Sequence, residues 1–206
     1  MLTFKLNKSK SVKNSDEIRE QIIDAAREVF SRYGFRKSTL DEVAMRINKG
    51  KSSIYYYYPS KEDLFKAVVE KETILFKQAL FKEFSAQKTA TDKLRSYVLT
   101  RMIRFQMLAN FYEAIRSDYL SHLPFINEIR GKYDADETSV IQSIIYEGIV
   151  REEFHVEDPA LAGTAIVIAM KGLEMPLMIN EIINENELRK RVEGLLKILF
   201  YGIVKK

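Results

Sequence analysis

The stretch STLDEVAMRINKGKSSIYYYYPSKEDLF, Ser38 to Phe65, carries the spacing that decides how this chain folds. Leu40, Val43, Ala44 and Ile47 recur three and four residues apart, which puts them on one face of a short helix. Thr39 followed three residues later by Glu42 has the form of a capping box and marks where that helix starts. Asn48 and Gly50 both tolerate left-handed backbone angles, as a sharp turn requires. Ser52 to Tyr58 makes a second short helix, and Pro59 stops it because proline restricts its predecessor and offers no amide hydrogen. Ser60 with Asp63 opens a third as another capping pair. Two short helices joined by a tight turn, the second rich in Lys, Ser and Tyr, describe a helix-turn-helix whose second helix enters the major groove of DNA.

Upstream of this stretch, Ile18, Ile22, Ala25, Ala26, Val29, Phe30 and Tyr33 form a continuous apolar stripe, which predicts a helix over Asp16–Tyr33. Gly34 is its expected stop and Phe35 the plug of a small three-helix core. Residues 1–14, with Lys5, Lys8, Lys10 and Lys13, lack periodicity and read as a flexible basic arm.

The segment from Asp16 to about residue 70 resembles the DNA-binding domain of the TetR family of bacterial transcriptional regulators. The resemblance rests on Phe30, Gly34 and Phe35, on STLDEVA, and above all on IYYYYPSKEDLF, the most specific of these signatures. It implies that Ile54 and Tyr57 pack inward while Lys51, Ser52, Ser53, Tyr55 and Tyr56 face the groove. Thr39 and Lys61, at helix N-termini, would meet phosphate. The chain departs from the family pattern at Asn48, Lys49 and Gly50. Lys49 cannot bury an unpaired ammonium, so it should reach outward and add a phosphate contact.

Charge agrees with a polyanionic partner for the N-terminal part. Residues 1–61 hold 13 Lys and Arg against 7 Asp and Glu, a net of +6, while the remainder holds 20 against 22, a net of −2. Apolar residues make up 46% and charged residues 30%, ordinary for a globular protein, and 8 Gly with 4 Pro favour long helices. There is no cysteine and hence no disulfide framework or thiolate chemistry, and no apolar run of membrane-spanning length. A cytoplasmic location is expected.

The expected fold class is all-α. An N-terminal helix-turn-helix DNA-binding domain over residues 1–60 precedes a helical ligand-binding and dimerisation domain over 61–206. The helix after Pro59 should run over Lys61–Phe84, with Leu64, Phe65, Val68, Val69, Ile74, Leu75, Ala79 and Leu80 on its apolar face, and connect the two. Ser85–Thr91 is a polar break. Helices follow over about Asp92–Ala109, Phe111–Leu120, the stretch to Glu152, Pro159–Met175 and Glu187–Val204. Gly131 and the polar Asp134–Glu137 mark a place for a kink in the third of these. The family resemblance implies that the last two helices form a homodimer interface, so that two reading heads meet a palindromic operator on double-stranded DNA.

No catalytic constellation is present: the two histidines, His122 and His155, fall in different predicted loops, and there is no HExxH, CxxC, phosphate loop or nucleophile elbow. No enzymatic role, metal or cofactor is expected. Met and aromatic side chains adapt to irregular shapes, and Met102, Phe105, Phe111, Tyr112, Tyr119, Tyr146 and Met170 are the expected ligand-cavity lining. The resemblance makes the ligand a small hydrophobic or amphipathic inducer, with Arg101, Arg104 and Arg116 as partners for an anionic head group. The function so implied is a DNA-binding regulator, a repressor released by its ligand. The alternative is a helical small-molecule sensor or carrier without an operator, for which the basic, Tyr-rich Lys51–Tyr56 stretch has no use.

Overall fold

A computed structural model describes residues 2–105, 124–178 and 184–202. Among the described residues there are eight helices and no strand: α1 Leu2–Lys37, α2 Leu40–Arg46, α3 Lys51–Tyr57, α4 Lys61–Ser85, α5 Ala90–Phe105, α6 Pro124–Val150, α7 Pro159–Met178 and α8 Glu185–Tyr201. The all-α expectation holds. Two compact units divide the chain, one reaching to Thr73 and the other beginning at Ile74.

The first unit is built on aromatic packing. Phe30 and Phe35 from α1 and Phe65 from α4 meet with ring centroids 4.8–5.9 Å apart. Around them Ile22, Ala26, Val29, Leu40, Val43, Ile54, Leu64 and Val68 are buried. Because Leu64, Phe65, Val68 and Val69 complete this core, the first turns of α4 belong to the first unit, and the division falls thirteen residues beyond the expected 60/61 boundary. Ion pairs tie α1 to α4: Arg27 to the buried Glu72 at 3.1 Å, and Lys71 to Glu20 and Asp24 at 2.6 and 2.7 Å.

Several local expectations change. Helix α1 begins at Leu2 rather than Asp16, since neither Gly nor Pro interrupts residues 2–33. It also continues past Gly34 to Lys37 across a kink, where Gly34 takes φ 75°, ψ 158°. That region is essentially closed to residues with a side chain. Ser38 locks the kink by donating its hydroxyl to the Gly34 carbonyl at 2.6 Å and the Val29 carbonyl at 3.3 Å. Gly34→Ala should therefore cost ~1–3 kcal/mol of stability, and an unchanged melting temperature would refute that account. Ile74 and Leu75 are exposed, because the buried side of α4 passes through Glu72, Phe76 and Leu80 instead.

In the second unit α5 lies centrally, contacting α6, α7 and α8. Its Leu94, Tyr97, Val98 and Met102 are buried, as are Ile141, Ile144 and Ile145 of α6, Ile166, Val167 and Met170 of α7, and Leu188, Val192 and Leu196 of α8. α6 runs without a break through Gly131 and Asp134–Glu137, and α7 continues through Pro176 to Met178. Helices α6 and α7 approach closely at Gly163, where an added Cβ would stand 2.6 Å from the Gln142 side chain. Glu153, just after α6, caps α5: its carboxylate accepts from the amides of Ala90 and Thr91 at 3.1 and 3.0 Å. Those bonds hold its pKa below the ordinary carboxylate value. No described helix is long and apolar enough to cross a membrane.

Candidate nucleic-acid interface

The capping box at Thr39 forms as the spacing demands. The Glu42 amide donates to Thr39 Oγ1 at 3.3 Å, while the Thr39 amide and hydroxyl donate to the Glu42 carboxylate at 2.7 and 3.0 Å. The N-terminus of α2 therefore already holds a carboxylate where the sequence reading put a phosphate. In the turn, Asn48 takes the left-handed angle (φ 54°). Gly50 does not: with φ −80° it is the N-cap of α3, without a side-chain cap bond. One left-handed residue suffices because the Lys49 amide already returns to the Ala44 carbonyl at 3.0 Å.

Ile54 is fully buried and anchors α3 to the aromatic core, which turns the other sides of α3 outward. Lys51, Ser52, Tyr55 and Tyr56 are exposed, Tyr56 at 81%, and Ser53 is half-buried. Lys49 is exposed in the turn. Tyr57 and the buried Tyr58 lie under the Arg19 guanidinium, at 5.4 and 5.8 Å from the ring centroids, and burial raises the Tyr58 pKa. The four tyrosines thus divide into two facing solvent and two packed beneath an α1 arginine.

Two lysines are engaged internally. Lys61 turns back to the end of α1, donating to the Ser38 carbonyl at 2.9 Å and the Arg36 carbonyl at 3.5 Å, with its ammonium 4.4 Å from the Phe35 ring centroid. Carbonyls left without partners at a helix C-terminus, with the negative end of its dipole, draw a cation there. That placement departs from the phosphate role read from its position at the start of α4. Lys51 donates to Asp41 at 2.7 Å, and that hydrogen bond, with the charge attraction, raises its pKa. The sequence reading missed Asp41, as it missed Met45, 68% exposed on α2, and the Arg46–Glu28 pair. Opposite charges ten residues apart on either side of a turn were the available signal.

In the second unit, a cavity of about 140 Å³ is lined by Leu80, Phe81, Phe84, Tyr97, Glu137 and Val140 among others. Lys77 and Asp136, paired at 2.5 Å, are also part of the lining. Arg101 makes a two-pronged bond to the lining residue Glu137, Nη2 to Oε2 at 3.1 Å and Nε to Oε1, and both side chains are 1% exposed. Burial would lower the Arg101 pKa, but Tyr133 and Glu137 outweigh it and hold the guanidinium charged. Burial, with the Glu137 charge, raises Tyr97. Arg101 is thus committed to Glu137 rather than open to a ligand head group, and Arg104 pairs with Glu83 at 3.5 Å. A second cavity, about 280 Å³, is lined by Leu94, Ile145, Phe154, Ile166 and Phe200 among others.

Of the expected cavity residues, Met102 and Met170 are fully buried in the core and line neither of these spaces. Tyr146 is 53% exposed, because Ile141, Ile144 and Ile145 take the inner side of α6 and leave it opposite. Phe105 ends α5, where its side chain lies outside the description. Phe111, Tyr112, Arg116 and Tyr119 lie outside the described residues. Among the described residues no three His, Cys, Asp or Glu gather in a way that could hold a metal.

A family model described as "Bacterial regulatory proteins, tetR family" matches residues 22–68, the span from the core of α1 through α2 and α3 into α4. The Staphylococcus epidermidis IcaR, named a negative transcriptional regulator of a biofilm operon, is 29% identical over 118 residues, 53% of this chain and 63% of that one. The fatty acid metabolism regulator protein of Bacillus subtilis is 27% identical over 136 residues, 63% of this chain and 66% of its own. Each alignment covers less than two thirds of the relative's length. Among solved structures, a transcriptional regulator from Cytophaga hutchinsonii superposes with TM-score 0.76 at 28% identity, covering 88% of this chain and 95% of that one. FadR from Bacillus subtilis, solved with stearoyl-CoA, shares the fold with TM-score 0.70 at 20% identity over 90% of this chain and 99% of that one.

Proposed function

This chain belongs to the TetR family of bacterial regulatory proteins, and from that premise we propose that it is a homodimeric repressor released from a palindromic operator by a small, largely apolar or amphipathic ligand. The observation that carries the reading is the outward face of α3: Lys51, Ser52, Tyr55 and Tyr56 stand exposed on a helix that Ile54 anchors to a closed aromatic core. A cation and three hydroxyls on the exposed side of one helix suit base edges and phosphates together.

Dimerisation is supported by α7. Leu161, Ala165, Ile168 and Gly172 recur at helical spacing and are all exposed on the single chain, Leu161 at 63% and Ile168 at 64%. Ile198 and Tyr201 on α8 are exposed as well. An apolar stripe with small residues in it suits close packing against a second copy. In this reading the ligand occupies the second unit and weakens DNA binding, and DNA weakens ligand binding by the same factor, about 1–3 kcal/mol of coupling.

The test is fluorescence-anisotropy titration of the DNA upstream of this protein's own gene against a scrambled duplex, at two salt concentrations, with and without a long-chain acyl-CoA. An acyl-CoA is the first probe because the Bacillus subtilis structure of the same fold carries one. Tight, sequence-dependent binding that weakens with salt supports the regulator. Lys51→Ala and Tyr55→Ala should each lose ~1–3 kcal/mol of specific binding if they read bases. Wild-type affinity in both variants would move the reading face elsewhere. Ligand affinity unchanged by saturating operator would overturn the coupled mechanism.

A further inference from the structure

The surface expected to meet a polyanion includes the carboxylates of Asp41 and Glu42, and both are tied to groups read as DNA contacts. Asp41, in the first turn of α2, is 54% exposed and holds the Lys51 ammonium at 2.7 Å. Glu42 occupies the N-terminus of α2 with Thr39. Lys61 is drawn back onto carbonyls at the end of α1. The free head is therefore less cationic toward a generic phosphate than its net charge suggests.

Lys51 is the first residue of α3, where the helix dipole disfavours a cation and Gly50 supplies no side-chain cap. Asp41 offsets that disfavour and fixes where the ammonium points. An ammonium has three hydrogens to donate. With one on Asp41, the other two remain for acceptors that lie where the pair already aims, such as O6 and N7 of a guanine. A phosphate elsewhere on the backbone is reached only by opening the pair, and it brings a negative charge toward Asp41.

We propose that Asp41 is a specificity-determining positioning residue, which holds Lys51 for base contact and suppresses its use on non-specific phosphate. This rests on the reading of α3 as the DNA-contacting helix. Asp41 stays paired in the specific complex, so its charge penalises the wrong complex more than the right one.

The experiment uses the full chain and measures affinity for the upstream DNA and for the scrambled duplex across a salt series. The variants are Asp41→Asn, Asp41→Glu, Lys51→Ala and the double variant Asp41→Asn with Lys51→Ala. Asp41→Asn should bind the scrambled duplex more tightly, with a log–log salt slope steeper by about 0.9, the value for one more phosphate neutralised. The ratio of specific to non-specific affinity should fall roughly tenfold, within the range for one base contact. Asp41→Glu should behave like wild type, and Asp41→Asn should change nothing further once Lys51 is alanine.

An Asp41→Asn protein with the wild-type slope and ratio would overturn the proposal. So would an equal effect of Asp41→Asn with and without Lys51, since the carboxylate would then act as general charge. The scrambled-duplex slope decides the matter even where the upstream DNA holds no operator. A wild-type protein with no salt-dependent affinity for any duplex would instead remove the regulator reading itself, and this one with it.

Discussion

Glu137→Ala is expected to destabilise the second unit by ~3–5 kcal/mol, the cost of leaving one partner of a buried ion pair without the other. Arg101 is 1% exposed and keeps its charge, so removal of the carboxylate takes its two-pronged ionic partner from a buried guanidinium. Glu137 lies on α6 and Arg101 on α5, so the loss falls on the pairing of the two helices. At the ~2–4 °C per kcal/mol usual for a chain of this size, the melting temperature should fall by roughly 6–20 °C. The informative companion is Arg101→Met with Glu137→Leu. Apolar replacement of a whole buried pair is commonly neutral or favourable by ~1–4 kcal/mol, so the double variant should recover most of the loss. A single variant that melts like wild type would mean that the guanidinium finds other compensation, and the pair would not be what joins α5 to α6.

Phe65→Ala should cost a similar ~3–5 kcal/mol, this time in the first unit. The ring is fully buried and touches both Phe30 and Phe35, with centroids at 5.3 and 4.8 Å, so its loss removes two aromatic contacts and opens a cavity at the centre of a small core. A unit of this size has few apolar side chains to redistribute the strain. α3 is held through Ile54, which is buried in the same core. The expected result is loss of DNA affinity while the helical signal of the second unit persists to its own melting transition. Phe65→Leu, which keeps most of the volume, should lose much less. Full DNA binding by Phe65→Ala would show that the helix-turn-helix is held by something other than the three rings.

These two variants mark where reading by spacing succeeds and where it stops. Phe30, Phe35 and the Phe65 segment are legible because a helical period, a stop signal and a conspicuous motif announce them. Arg101 and Glu137 are each unremarkable in sequence, and one reads naturally as a ligand partner and the other as part of a polar break. They are 36 residues apart, and only the packing of α5 against α6 brings them together. Tyr146 shows the same limit on one helix: the resemblance and the set of Met and aromatic side chains place it in a ligand cavity, yet its position around α6 leaves it 53% exposed.

The sequence by itself determined the all-α class, the two short helices and their turn, the capping box at Thr39 and the capping pair at Ser60. All of these follow from interactions within a few residues, where helical period and side-chain chemistry act without help from the rest of the chain. Tertiary structure alone decided the fate of the charges. Lys51 is restrained by Asp41, Lys61 is turned onto α1, and Arg101 is closed onto Glu137. An ion pair depends on where two side chains end up in space, and a local pattern sets the direction each one leaves its helix but not which opposite charge it meets.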